Sequence, residues 1–296
     1  NGLKMVVNDR PVSGIEILSL IENMESEPSS KGELRNKDIK EKYLDEVVNS
    51  ISIRNPSNYK VVIDCGNGAA GCVAPDLFKR VGCEVVELFT EVDGNFPNHH
   101  PDPSKLENLQ DLIDGVISNN ADLGLAFDGD GDRLIAVDEK GRVVDGDRLI
   151  ALSAIDRRNL NTLANNTVVV TVMSNLGFHQ AMKQQGINVV TSSVGDRYVL
   201  DAMEFGGFVI GGEQSGHIIH RDLATTGDGL LSAIVLAQLV RGRQENDGSK
   251  FSQLASSVMH TFPQVLKNVK VAVRPNDVAK LLAAEIAAEE AVLGEN

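Results

Sequence analysis

The chain has 296 residues, long enough for two α/β domains with pieces of others. Its 42% hydrophobic and 24% charged content is that of a soluble globular protein. The formal net charge of −14 argues against nucleic acid as a partner, because phosphate backbones bind Lys- and Arg-rich surfaces. An anionic substrate must therefore be drawn in by a local site.

Cys65, Cys72 and Cys83 are odd in number and lack CxxC spacing, which suggests neither a disulfide framework nor a zinc site. A reducing, cytoplasmic setting is expected. No run approaches the roughly 20 apolar residues of a membrane span. The longest, "LLSAIVLAQLV" from Leu230, is interrupted by Ser232 and Gln238 and reads as a buried core helix. There is no signal-peptide pattern, and a chain that opens on Asn1 and closes on "LGEN" is expected to be a piece of something longer.

In chain order, residues 23–40 are polar and charged and read as a linker. From Lys60, "KVVIDCGNGAAGCVAPDLFKRVGCEVVELF" predicts strand, helix, strand; "LENLQDLIDGVISN" predicts a helix leading into the strand "ADLGLAF". The order recurs in "NTVVVTVM", "LGFHQAMKQQ", "INVVTSS", "RYVLDAMEF" and "GFVIGGEQSGH". Two βαβαβ units about 105 residues apart predict tandem, related, doubly wound α/β domains. Ligands of such sheets gather at the carboxyl ends of the strands, so the loops after the third strand of each unit are the places to search. "RGRQENDGSK" from Arg241 reads as a surface loop, "LKNVKVAV" as a strand, and "DVAKLLAAEIAAEEAVL" as an amphipathic helix opening a further domain.

The first of those loops, "FDGDGDR", sets Asp128, Asp130 and Asp132 on alternate positions with Arg133 next. The spacing matches an EF-hand in part, but Arg133 stands where that loop needs glycine, and the flanks read as strands. A solvated turn without ligand is a second alternative. Three close carboxylates at a strand end are costly unless a cation or proton offsets them, which favours a hard divalent ion, Mg²⁺ first. Three carboxylates leave positions open for a phosphate oxygen or water, and Arg133 offers a fork for the same phosphate, an arrangement suited to phosphoryl transfer.

Gly66, Gly68 and Gly71 form GxGxxG between strand and helix, with Glu87 placed to hold a ribose hydroxyl. This keeps an NAD-dependent dehydrogenase as an alternative, although a tight turn with close helix packing explains the glycines equally. In "GGEQSGH", Glu213 and Ser215 are two apart, so in an extended loop they face the same way and suit neighbouring sugar hydroxyls. His217 by itself reads as structural.

Together "FDGDGDR" and "GGEQSGH" resemble the α-D-phosphohexomutase family along nearly the whole chain. The resemblance implies Mg²⁺ at Asp128, Asp130 and Asp132, Arg133 beside the reacting phosphate, and Glu213 and Ser215 on sugar hydroxyls, with Arg197 and His217 also on the substrate side. "NGLK" looks like the stretch after the family's phosphoserine loop, making Lys4 similar to the lysine by the transferring phosphate. The serine itself would lie about seven residues before Asn1. The implied organisation is the end of a phosphoserine domain and linker in 1–34, a metal-binding α/β domain in 35–154, a sugar-binding α/β domain in 155–262, and the start of a phosphate-binding domain in 263–296. Each α/β domain is expected to be a mixed sheet with helices on both faces.

The implied reaction moves a phosphoryl group between O6 and O1 of a hexose phosphate through a hexose 1,6-bisphosphate. "EVDGNFPNHHPDP" is similar to the branch acting on mannose and glucose phosphates. "TVMSNLGF", "VGDRYVLDAM", "TTGDGLLSA" and "FPQVLKNVKV" are similar to the branch acting on glucosamine phosphate, and Met173 stands where the other branch often has lysine. The domain with the sugar loop favours glucosamine 6-phosphate, with mannose or glucose phosphate as the alternative. A non-catalytic fragment that binds Mg²⁺ and sugar phosphate is the alternative of another class; no turnover is expected from the isolated piece.

Overall fold

The computed structural model describes residues 6–7, 10–12, 14–22, 33, 35–50, 59–266, 269–271 and 277–293. They fall into two compact units, Asn1–Phe262 and Pro263–Asn296. The first begins with a hairpin of β1 (Val6–Val7) and β2 (Arg10–Pro11), followed by helices α1 (Gly14–Glu22) and α2 (Lys40–Asn49). Leu44 and Val47, three apart on α2, are buried, and Asp45 on the same helix accepts a hydrogen bond from Arg80 at 3.0 Å.

The first sheet is built from β3 (Lys60–Asp64), helix α3 (Ala74–Arg80), β4 (Glu84–Leu88), helix α4 (Gln110–Asn119), β5 (Leu123–Phe127), β6 (Leu134–Asp138) and β7 (Val143–Val144). Its order is β4-β3-β5-β6-β7, with β4, β3 and β5 parallel and β6 and β7 antiparallel to their neighbours. After helix α5 (Gly146–Asn159) the second sheet repeats the plan: β8 (Thr167–Thr171), α6 (Leu176–Gln184), β9 (Asn188–Ser192), α7 (Asp196–Gly206), β10 (Ile210–Gly212) and β11 (Ile218–His220), in the order β9-β8-β10-β11. Helices α8 (Gly229–Asp247) and α9 (Phe251–Val258) complete the unit.

Strand composition follows position. β5 and β8 are buried along their whole length and β3 after its first residue, so they read as mostly apolar runs, with Asp64 and the terminal threonines of β8 as the polar members. β4 and β9 lie at sheet edges, where Glu84, Glu87 and Thr191 are turned to solvent. The expected tandem α/β pair, with mixed sheets, is present. In both sheets the third and fourth strands form an antiparallel hairpin, and the hairpin loops are the acidic loop and the "GGEQSGH" loop.

Several sequence expectations change. "RGRQENDGSK" is not a loop until Gly248: α8 continues to Asp247, because Arg241–Glu245 at 2.7 Å and Arg243–Asp247 at 3.9 Å are i,i+4 pairs that carry the polar half of the helix. Its first half, where Leu230, Leu231, Ile234, Leu236 and Ala237 are all buried, is the core helix expected. "LENLQDLIDGVISN" begins as a 3₁₀ turn, Leu106–Leu109, before α4. Helix α5, to which periodicity assigns no element, packs on β10 and α6. Within 23–40, Glu33 and residues 35–39 are in neither helix nor strand, and the remainder up to residue 34 lies outside the described residues.

In the second unit, "DVAKLLAAEIAAEEAVL" forms two helices, α10 (Val278–Leu281) and α11 (Ala283–Leu293), with a break at Leu282. The described members of "LKNVKVAV", Leu266, Val269, Lys270 and Val271, are not in a strand; the others lie outside the described residues. No helix among the described residues is long and apolar enough to cross a membrane.

Candidate functional site

β5 ends at Phe127 and β6 begins at Leu134, so the six residues between them form a turn at the carboxyl end of the sheet. The Arg133 amide donates to Asp128 Oδ1 at 3.0 Å and the Gly131 amide to the Asp128 carbonyl at 3.2 Å, curling the loop on its first residue. The result brings one carboxylate oxygen each of Asp128, Asp130 and Asp132 within 4.8 Å of one another. Burial pushes the Asp128 carboxyl up to about 7, with Asp132 and Asp130 adding to the push and the Arg133 amide opposing it. Arg133 Nε lies 3.8 Å from Asp128 Oδ2 and is buried without a hydrogen-bond partner. A set of carboxylate oxygens without nitrogen or sulfur fits a hard divalent cation. The antiparallel strands on both sides exclude the EF-hand reading, which requires helices.

The second loop has the corresponding place between β10 and β11. Glu213 and His217 close it through the Glu213 amide and the His217 carbonyl at 2.9 Å. Glu213 Oε1 accepts from the Gly195 amide at 2.9 Å, which sets the carboxylate at the N-terminus of α7. Ser215 beside it is half-buried. Arg197 is on the first turn of α7, exposed, with Nε 3.6 Å from Asp201, so it shares the corner occupied by Glu213.

The two loops meet. The Leu134 amide donates to the Gly216 carbonyl at 2.9 Å, and Arg133 and His217 form an antiparallel bridge. Gly216 has φ +97°, and a Cβ there would fall 2.4 Å from the Leu134 carbonyl oxygen, so the approach demands glycine. His217 is buried beneath this junction, with Nδ1 3.4 Å from Asp132 Oδ2. That position supports an aspartate of the acidic loop. Helix N-termini complete the frame: the Gly229 amide of α8 donates to the Gly131 carbonyl at 3.0 Å, and the Gly146 amide of α5 to the Gln214 carbonyl at 3.1 Å.

The structure adds Asp102, which sequence reasoning missed. Burial raises its carboxyl, but the Ser104 hydroxyl and amide, with Arg133 and Lys105 nearby, hold it below its ordinary value. Asp102 and Arg133 are distant in the chain, and no spacing signal links them. Lys4 lies outside the described residues.

The GxGxxG turn does not form a dinucleotide site. Its amides are committed to the chain itself: Gly68 to the Cys65 carbonyl at 2.6 Å, Ala69 to Gly129 at 3.0 Å and Gly71 to Gly68 at 3.1 Å. Glu87 pairs with Lys79 at 2.6 Å, so the carboxylate proposed for a ribose is occupied on the edge strand.

With this geometry the class is defined: residues 41–141 match the family description "Phosphoglucomutase/phosphomannomutase, alpha/beta/alpha domain II" and residues 145–262 match "alpha/beta/alpha domain III". The chain belongs to the phosphoglucomutase/phosphomannomutase family. Among curated relatives, the phosphoglucosamine mutase of Thermoanaerobacter sp. (strain X514) is 53% identical over 212 residues, covering 72% of this chain and 46% of that protein. The phosphoglucosamine mutase of Frankia alni is 45% identical over 256 residues, covering 86% of this chain and 54% of the relative. The chain thus spans about half the length of the curated relatives it matches. A phosphoglucomutase/phosphomannomutase family protein from Burkholderia thailandensis superposes with a TM-score of 0.64 at 36% identity, over 69% of this chain and 44% of that one. An Aspergillus fumigatus N-acetylphosphoglucosamine mutase in complex with glucose 1,6-bisphosphate shares the fold, at TM-score 0.54 and 17% identity over 74% of this chain and 48% of that one.

Proposed function

We propose that this chain is the metal-binding and sugar-binding portion of a phosphohexomutase that interconverts glucosamine 6-phosphate and glucosamine 1-phosphate. The observation that supports the reading is the junction of the two hairpin loops, which joins the loop bearing the acidic triad and Arg133 to the loop bearing Glu213 and Ser215. Relatives named phosphoglucosamine mutase support the choice of sugar. The proposed division is a phosphoserine-domain end and linker in 1–34, the metal-binding domain in 35–154, the sugar-binding domain in 155–262, and the start of a phosphate-binding domain in 263–296. The three cysteines are unpaired, consistent with a cytoplasmic location.

In this reading Asp128, Asp130 and Asp132 hold Mg²⁺, which when bound neutralises charge on phosphate oxygens. The Arg133 guanidinium, its Nε without a hydrogen-bond partner, binds oxygens of the transferring phosphoryl group. Glu213 accepts from a sugar hydroxyl and Ser215 donates or accepts beside it. Because a 1,6-bisphosphate intermediate must react from either end, both residues grip ring hydroxyls and leave the exchanging ends free. Lys4 is assigned to the phosphate or to proton removal from the attacking hydroxyl, and Arg197 to the sugar-phosphate side of the α7 corner.

Calorimetric titration of the chain with glucosamine, glucose and mannose 6-phosphates, with and without MgCl₂, tests this. Binding is expected to favour glucosamine 6-phosphate, to strengthen with Mg²⁺, and to weaken about tenfold or more in Glu213→Gln. Equal affinity for the three sugars overturns the substrate; indifference to Glu213→Gln overturns the sugar site. Turnover of glucosamine 6-phosphate by the full-length parent, primed with hexose 1,6-bisphosphate, tests the activity.

A further inference from the structure

The segment "NFPNHHPDP", residues 95–103, contributes the half-buried His99 to a charge pair with the buried Asp64 that the phosphoryl-transfer reading does not use. Asp64 ends β3 at 1% exposure, and His99 Nε2 lies 3.1 and 3.2 Å from its two oxygens. His99 Nδ1 lies 3.0 Å from the His100 carbonyl. Both ring nitrogens face oxygens that only accept, so each carries a proton and the ring is an imidazolium. Asp64 Oδ1 also accepts from the Gly66 amide at 2.8 Å, which ties the pair to the glycine turn.

From that pair the contacts run to the acidic loop. Asn98 Nδ2 donates to Asn67 Oδ1 at 2.7 Å, fastening the segment to the turn a second time. On the other side of the turn the Ala69 amide donates to the Gly129 carbonyl at 3.0 Å. A Cβ at Gly68 would lie 2.8 Å from the Gly129 carbonyl oxygen and 2.9 Å from that of Asp128, so turn and loop touch backbone to backbone. Pro101 and Phe96 close over the remaining face of Gly129, within 3.3 and 3.6 Å of where its Cβ would stand. Gly129, between the first two aspartates, is therefore clamped between the turn and the segment His99 holds down.

We propose that His99, through its pair with the buried Asp64, is a positioning residue for the acidic loop, fixing the Asp128–Gly129 backbone so that the three carboxylates converge. The proposal rests on the reading that this loop binds a divalent cation, and its principal test does not require the cation. Loss of the pair releases Phe96 and Pro101 from Gly129 and widens the range of carboxylate positions, which costs cation affinity without removing a ligand.

Asp64 on β3 and Asp111 on α4 are the charged groups facing the ring; the Asp64 hydrogen bond is the main reason its acidity lies at about 9. The pair is present below that pH and lost as pH rises through it.

Amide exchange followed by NMR in His99→Gln, against the unaltered chain, is the test. The Ala69 and Gly131 amides, bonded to Gly129 and Asp128, are expected to exchange about tenfold faster, while Val62 and Leu125 in the sheet hold their rates. Unchanged Ala69 and Gly131 exchange in the folded variant overturns the proposal. If His99→Gln fails to fold, Asp64→Asn, which keeps an acceptor for Gly66, replaces it with the same expected and overturning results. Calorimetry with MgCl₂ adds a second readout: about tenfold weaker binding in His99→Gln at pH 8, and a weakening of the unaltered chain between about pH 8 and 10 that the variant lacks. Mg²⁺ affinity equal in both proteins overturns the link to the cation. No Mg²⁺ binding by the unaltered chain overturns the metal reading instead, and the exchange rates still decide the clamp.

Discussion

Three carboxylates within 4.8 Å of one another repel, and Asp128 bears the largest cost because it is the buried one. Asp128→Asn removes one of the charges while leaving an oxygen for the Arg133 amide. In EDTA the variant is expected to melt about 2–4 °C above the unaltered chain, roughly 1 kcal/mol at this size. In MgCl₂ the order reverses, because only the unaltered chain gains stability from binding. Differential scanning fluorimetry with and without Mg²⁺ reads both; a variant less stable in EDTA would mean that Asp128 is compensated by its own neighbours. At this scale the sequence was most informative where chemistry is local: alternate aspartates and the Glu213, Ser215 pair are visible as spacing. It was silent where partners are distant in the chain, as for His217 with Asp132 or His99 with Asp64.

Helix α5 shows what an element does that a motif does not. Its first turn offers the Gly146 amide to the sugar loop, while Asp147 Oδ2 accepts from the Asn175 amide at 2.7 Å at the start of α6. Asn175 in turn binds the Phe262 amide and carbonyl at 2.9 and 2.8 Å. Asp147 is fully buried, and burial pushes its carboxyl up to about 6 despite the Asn175 amide and the Ser174 hydroxyl. The folded chain therefore holds a proton that an unfolded aspartate, near 3.9, releases, so stability falls as pH rises from about 4 to about 6 and is level above. Asp147→Asn keeps an acceptor for Asn175 and removes the charge. Urea unfolding is expected to show the variant equal to the unaltered chain near pH 4 and more stable by about 2–3 kcal/mol at pH 7.5. A difference independent of pH would show that Asp147 is not the group responsible. The strands were legible because fully buried β5 and β8 are mostly apolar runs and the edges are not. Helix α5 and the polar half of α8 were not, since caps and i,i+4 pairs, with Asp145 accepting from Arg148 and Arg241 donating to Glu245, leave little apolar periodicity.

Over the whole molecule a net charge of −14 acts on both proposed ligands with opposite sign. A divalent cation is attracted by the general field and then held by the acidic loop. A sugar phosphate is repelled by the same field until it comes within reach of Arg133 and Lys105, the two cations whose influence converges on Asp102. Salt separates the two regimes, because the screening length is about 30 Å at 0.01 M and about 10 Å at 0.1 M. Repulsion summed over the domain is screened first, while attraction at the mouth of the site survives. Raising KCl from about 10 to about 100 mM should therefore weaken Mg²⁺ binding severalfold, yet speed association of glucosamine 6-phosphate at saturating Mg²⁺. Calorimetry measures the first slope and stopped-flow fluorescence of a labelled chain the second. An association rate that falls with salt would show that the local cations outweigh the net charge even at long range, and the acidic surface would then lose its place as the barrier that the site must overcome.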